Sequence, residues 1–376
     1  MKKFKLLILF LCLSLLIPLS SCDLSLLLQD SNKEKIIDNN TDINDITDVD
    51  DDIDKDKDIE KEPIDSKIEE YDMNLYLIDY HNNYGYKSLS NDENGTIMQD
   101  IYSNFYEKSK TILLSNLDYD ISTKIIDGAE TNYLSIYESD DFEDENLILY
   151  YTSVWSVFIS ENPIFYFLTN SYVISQKNIT TTQTIAGVTT TTSKTTYSFV
   201  LMGYSEFINY DNRDIINKKI INLFNLTNEI STLESEYLKI NFINNYLKDN
   251  LQYAFKNDGI TPEDSYWAHN ILGLLDENKG VCECYSKSFK LLCDYYGLNA
   301  ISVYGKTIES NSGHAWNYIN IDDIWYGMDV TWNDTTNSNK YFLCSKSIMD
   351  DDHLPFDSIY GKEYQVVLPT LSSYNY

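Results

Sequence analysis

The chain has 376 residues, 43% of them hydrophobic, which is enough for two folded units plus non-globular parts. Its 59 acids against 28 lysines and arginines give a formal net charge of −31. Such a surface repels nucleic-acid phosphates, and no basic cluster reverses the sign, so nucleic-acid binding is set aside. The 32 tyrosines suit peptide or carbohydrate contacts but are read first as packing residues.

The first segment reads as an address. Lys2, Lys3 and Lys5 precede an almost wholly apolar stretch at 6–18, shorter than the roughly 18–20 residues that span a bilayer, so residues 1–21 are expected to be a signal peptide. The stretch ends in Leu19-Ser20-Ser21-Cys22, which resembles the bacterial lipobox. That resemblance implies lipidation of Cys22 and a protein anchored by lipid to the extracytoplasmic face of the cell membrane. No later apolar run is long enough to span a bilayer. Residues 22–70 are rich in Asp, Asn, Lys, Glu and Ile and read as a solvated, self-repelling acidic linker. The acidic run at 48–56 lacks the glycine and closing glutamate of a calcium-binding loop.

Residues 71–210 are expected to form a smaller accessory domain of mixed α and β structure. Ile97, Ile101 and Phe105 recur at helical spacing, as do Leu147, Tyr150, Tyr151, Val154 and Phe158, and Asn162-Pro163 ends the second helix. Alternating Thr and apolar residues then predict a β-hairpin, 179–184 up and 188–201 back, turning at Ala186-Gly187. No catalytic constellation appears in this unit.

The unit at 211–376 opens with helices. Ser231 and Glu234 fit a capping box, followed by Tyr237, Leu238, Ile240, Ile243, Tyr246 and Leu247 on one face. Past Cys12 and Cys22 remain Cys282, Cys284, Cys293 and Cys344, whose spacing suits neither a disulfide framework nor a zinc site. Tyr285, Phe289, Leu292, Cys293 and Tyr296 follow helical spacing after Gly280-Val281-Cys282, with Gly297 as the stop. Cys282 therefore sits at a helix N-terminus, where unpaired N–H groups and the helix dipole favour a thiolate. Cys284 points to another face, and Cys293 falls in an apolar row.

Two aromatic, β-branched runs follow, 313–321 and 324–332, separated by Asp322-Asp323. A two-residue turn there pairs Ile321 with Ile324 and, counting back, Trp316 with Asp329. His314 then lies diagonal to Asp329 on the same face. A carboxylate fixing one imidazole nitrogen while the other faces a thiol is the logic of a catalytic triad in cysteine form.

The segments Gly280-Val281-Cys282, His314-Ala315-Trp316-Asn317 and Asp329-Val330-Thr331-Trp332 resemble, in order and spacing, the transglutaminase-like superfamily over roughly residues 212–353. The resemblance implies an α+β, papain-like fold with the nucleophile helix packed on an antiparallel sheet. It also implies Cys282 as nucleophile, His314 as general base and acid, and Asp329 as the orienting carboxylate. Bacterial members commonly read Gly-Tyr-Ala where this chain has Cys284-Tyr285-Ser286, a change that keeps small side chains but bears on redox sensitivity. The region around Asn162-Pro163 looks, more loosely, like the accessory segment before such domains in other exported bacterial proteins. Trp267 and His269, just upstream of the nucleophile, are candidates for the oxyanion pocket or cleft wall.

Taken singly, Cys282, His314 and Asp329 have ordinary structural roles; jointly those roles need three ordered coincidences. The expected function is therefore acyl transfer on peptide or protein amides, as a cysteine peptidase, deamidase or transglutaminase, with no metal or organic cofactor. The alternative is a cell-surface binding module that keeps the fold without turnover. His81 and His353 have no partner that the sequence names, and oligomeric state is not legible.

Overall fold

The structure, a computed structural model, describes residues 70–91, 93–126, 129–185, 188–356 and 367–376. The signal segment, Cys22, most of the acidic linker and the Ala186-Gly187 turn lie outside them. Among the described residues no helix is long and apolar enough to cross a membrane.

Chain order begins with the short helix α1 (Tyr84–Leu89) and the long α2 (Gly95–Leu114). Helix α2 is amphipathic: Met98, Ile101, Tyr102, Phe105 and Ile112 face inward at steps of three and four, while Ile97 turns out to solvent. Strands β1 (Ser122–Ile126) and β2 (Ala129–Glu138) follow, then α3 (Asn146–Glu161), which is buried along most of its length from Tyr150 onward. As expected, α3 stops before Asn162-Pro163. Asn162 holds the break by donating from Nδ2 to the Tyr102 hydroxyl and the Phe158 carbonyl, both at 2.8 Å.

Strands β3 (Leu168–Ile185) and β4 (Val188–Tyr204) form the hairpin, and the antiparallel sheet runs β1-β2-β4-β3. The hairpin begins earlier than its Thr pattern indicates, because Tyr172, Val173 and Ile174 are buried and Tyr172 meets Trp155 of α3 edge-on at 4.9 Å. At 179–183 and 189–194 the two strands run exposed, with hydroxyl contacts Thr180–Ser193 and Thr182–Thr191 at 3.3 Å across the ribbon.

Helix α4 (Tyr210–Leu226) carries Arg213, the sole arginine of the chain. Its fully buried guanidinium donates to the carbonyls of Phe207, Ile208, Ser115 and Leu117, stitching the end of α2 to the start of α4. Helix α5 (Glu236–Asn250) is capped by Ser235, whose side chain accepts from Leu238 N–H at 3.2 Å. The expected Ser231–Glu234 box therefore does not form. Ser231 belongs to a preceding 3-10 turn, Asn228–Thr232, and donates to Asn228 instead, so the extended residue that starts the helix is Ser235. The buried stripe of α5 is Ile240, Ile243 and Leu247, whereas Tyr237 and Leu238 are exposed.

Short parallel strands β5 (Gln252–Tyr253) and β6 (Lys279–Gly280) lead into α6 (Cys282–Tyr295), which is enclosed on nearly every side down to Cys293. Gly297, at φ 74, supplies the left-handed stop the sequence predicts. The second antiparallel sheet then assembles from β7 (Ala300–Thr307), β8 (Gly313–Ile321), β9 (Ile324–Met328), with α7 (Val330–Thr335) and α8 (Lys346–Asp350) intervening before β10 (His353–Pro355). Its order is β10-β7-β8-β9. The Asp322-Asp323 turn has both φ values positive, 51 and 65, and pairs Ile321 with Ile324 as expected.

The second run is shorter than its composition implies. The ladder ends at Asn317 opposite Met328, so the expected Trp316–Asp329 pair is absent. Asp329 instead caps α7: its carboxylate accepts Trp332 N–H at 3.0 Å, and its own N–H turns away to Tyr341 O. The whole is a mixed α and β fold with antiparallel sheets, and one hydrophobic cluster runs from Phe105, Phe158 and Phe199 through Ile220 and Ile243 to Tyr285, Phe289 and Ile319.

Candidate active site

Helix α6 and strand β8 are tied together just behind Cys282 and His314. Ser286 Oγ donates to Trp316 O at 2.9 Å, and Asn317 Nδ2 returns a bond to Ser286 O at 3.1 Å. The hydroxyl at position 286 is thus a strut between the element carrying Cys282 and the one carrying His314. Cys282 opens α6 after an extended Val281, and no side chain caps that helix end. First-turn N–H groups have no carbonyl within their own helix, so this end favours negative charge.

His314 is fully buried, as is Asp329. Its Nε2 lies 2.7 Å from Asp329 Oδ2, and the ring is also hydrogen-bonded to the Cys282 side chain. With Nε2 facing the carboxylate, Nδ1 is the nitrogen left for the sulfur. Trp332 stacks on the imidazole at 4.8 Å with planes 19° apart, which fixes the ring's tilt. Burial works against the imidazolium, but the Asp329 charge, its hydrogen bond and the bond to Cys282 outweigh it and push His314 well up. The same pairing holds the Asp329 carboxyl down despite its burial.

Sequence reasoning missed His353. On β10, fully enclosed, its Nε2 stands 3.1 Å from the same Asp329 oxygen, and its Nδ1 is 2.7 Å from Asp352 Oδ1. Asp352 in turn accepts from the Tyr341 hydroxyl at 2.5 Å and from Lys340 at 3.0 Å. A row of polar groups therefore runs from the sulfur through two imidazoles and two carboxylates toward the surface. No local signal marks His353, because β10 joins β7 from nearly fifty positions downstream. His81, by contrast, lies on the exposed surface, paired with Asp79 and stacked on Tyr80.

His314, Asp329 and His353 are, among the described residues, the one group with the donor set for a metal ion, their ligand atoms lying within 4.8 Å of one another. Both Nε2 atoms already face Asp329 Oδ2, so an ion would have to displace these contacts.

The remaining cysteines are of a different kind. Cys284 packs where a Cβ on Gly280 or Gly273 would collide with it, and burial pushes its thiol up to about 12. Cys344 is pushed to about 12 and Cys293 well above the usual thiol range, again by burial. None of the four is joined in a disulfide.

Of the two upstream candidates, His269 and Trp267 part ways. Trp267 packs, half-buried, against Ala254, Ala268 and Val281. His269 Nδ1 lies 3.1 Å from Glu283 Oε2, and Glu283 is itself enclosed, with Lys287 at 2.7 Å and Asn170 Nδ2 at 3.1 Å on Oε1. Burial opposes the Glu283 charge, but Lys287 and His269 overcome it and hold the carboxyl down at about 2. Beside this cluster opens a cavity of about 690 Å³.

Residues 225–330 match the sequence model of the Transglutaminase-like superfamily, and that stretch is a transglutaminase-like domain. It includes Cys282, His314 and Asp329 and ends before His353. Kyphoscoliosis peptidase of Mus musculus is 29% identical over 120 residues, which are 26% of this chain and 18% of that protein. The chain thus spans under a fifth of the length of the curated relative it matches. Among solved structures, a TGase is 21% identical, with 41% of this chain and 44% of that one covered, at a TM-score of 0.28. A candidate cysteine protease from Cytophaga hutchinsonii is 17% identical, covering 43% and 67%, at 0.25. At such scores these two likenesses add nothing to what the geometry says.

Proposed function

We propose that this chain is an exported, lipid-anchored thiol enzyme that transfers the acyl group of peptide or protein amides. The reading is carried by one observation: His314 is hydrogen-bonded to the Cys282 side chain and to the Asp329 carboxylate. Cys282 gives its proton to His314 and the sulfur attacks the amide carbonyl carbon, forming a C–S bond. As the tetrahedral adduct collapses, the C–N bond breaks and His314 hands the proton to the leaving amine. Water or a second amine then attacks the thioester, loses a proton to His314, and releases the thiol. Water gives peptide cleavage or deamidation, whereas an amine gives a cross-link. Asp329 holds the ring in register and stabilises its charged form.

An activity probe bearing a thiol-reactive group next to a peptide amide tests this. Labelling at Cys282 is expected, absent in Cys282→Ala and at least tenfold slower in His314→Ala. An unlabelled wild type would point instead to a binding module that keeps the fold. Incubation of a peptide library with and without a primary amine then separates hydrolysis from cross-linking. The anchor rests on Leu19-Ser20-Ser21-Cys22, and incorporation of labelled palmitate into the wild type but not Cys22→Ser is its test.

A further inference from the structure

The 690 Å³ cavity is built by both halves of the chain. Trp155 of α3, Tyr172 of β3, and Tyr133 and Met202 on the neighbouring strands supply walls from the accessory unit, all of them buried. The catalytic half supplies Tyr304 and the His269–Glu283 pair. Cys282 is not itself a wall residue, yet Glu283 is the next residue in the chain and Tyr304 packs against Cys282. Two of the cavity's wall residues thus flank Cys282, Glu283 along the chain and Tyr304 in packing.

The lining is selective. Aromatic rings and Met202 offer apolar surface whose burial favours a large apolar side chain over a small one. The carboxylates at the exposed rim, Glu206 and Asp264, and the ionised Glu283 disfavour a second acid. Polar anchoring comes from His269: Glu283 occupies Nδ1, and among the described residues Nε2 has no protein partner. The Tyr304 hydroxyl is a second unmatched group, shielded from solvent without a hydrogen bond of sound geometry.

We infer that this cavity is the specificity pocket for a bulky apolar side chain, aromatic or branched aliphatic, adjacent to the scissile amide, with His269 Nε2 meeting a substrate oxygen. The inference rests on the acyl-transfer reading for its orientation, while binding can be measured without any turnover. The accessory unit is then part of the substrate site and sets which amides reach the thiol.

The test uses the full chain carrying Cys282→Ala, titrated calorimetrically with N-acetyl-phenylalaninamide, N-acetyl-leucinamide, N-acetyl-glycinamide and the N-acetyl amide of glutamate. Phenylalanine and leucine amides are expected to bind at least tenfold tighter than the other two. Ser171→Trp and Thr131→Trp, placed on different strands at half-buried wall positions, should each erase that preference, with circular dichroism reporting that the variants fold. Equal affinity for the four amides, or a preference that survives in both folded variants, overturns the assignment. A failure of Cys282 to react with amide probes would sink the acyl-transfer reading alone and leave this binding result standing.

Discussion

His353 Nε2 and His314 Nε2 converge on a single oxygen, Asp329 Oδ2, at 3.1 and 2.7 Å, while Oδ1 takes the Trp332 N–H. The carboxylate that orients the proposed base is thus itself held from two further directions. His353 acts through Asp329 as a positioning residue. His353→Ala should slow alkylation of Cys282 by iodoacetamide about tenfold, in line with the effect of small misplacements on reacting groups. His353→Gln, which keeps a donor, should recover most of the rate. If both variants lose thermal stability but alkylate at the wild-type rate, the residue is merely structural.

Removing the carboxylate charge should move the proton on the base. Asp329 raises His314 against a burial effect that lowers it, so in Asp329→Asn the His314 ring should titrate at lower pH than in the wild type. Histidine ring NMR across a pH series measures this directly. An unchanged or higher midpoint would contradict the pairing.

The four cysteines of the folded region should differ sharply in reactivity. Burial pushes Cys284 and Cys344 up to about 12 and Cys293 further, whereas Cys282 is the one bonded to an imidazole. Brief iodoacetamide treatment at neutral pH, read by peptide mass mapping, should modify Cys282 well before the other three, which become reactive only in denaturant.

Glu283 links acid sensitivity to the cavity wall. Its carboxyl is held at about 2 against a usual 4.5, so its stabilising contribution is complete above the usual value and is lost as pH falls from there toward about 2. Glu283→Gln leaves Lys287 buried without its counter-charge and should cost about 3–5 kcal/mol at neutral pH. Urea unfolding should show that the gap between variant and wild type narrows as the pH is lowered through that window. A gap independent of pH would mean that Glu283 is not ionised there.

Arg213 should be hard to replace. Its planar fork serves the carbonyls of Phe207, Ile208, Ser115 and Leu117, a geometry that one ammonium does not reproduce. Arg213→Ala orphans buried acceptors and should destabilise by about 3 kcal/mol or more, and Arg213→Lys by a substantial part of that, both read from urea midpoints.

Much of the local architecture was legible in the amino-acid order because its causes are local. The Asn162-Pro163 break, the Gly297 stop, the Asp322-Asp323 turn and the helix start at Cys282 each follow from backbone preferences of a few adjacent residues. The order and spacing of Cys282, His314 and Asp329 were visible for the same reason. Local rules misled where two outcomes competed: Ser235 rather than Ser231 caps α5, and Asp329 trades a strand partner for a helix N-terminus.

Only the tertiary structure brought His353 to Asp329 and Asn170 of β3 to the Glu283 carboxylate. These contacts join residues separated by long stretches of chain, from 24 positions for His353 and Asp329 to 113 for Asn170 and Glu283. No periodicity or turn signal encodes such distances, because they are fixed by which buried faces pack together once the helices and sheets have formed.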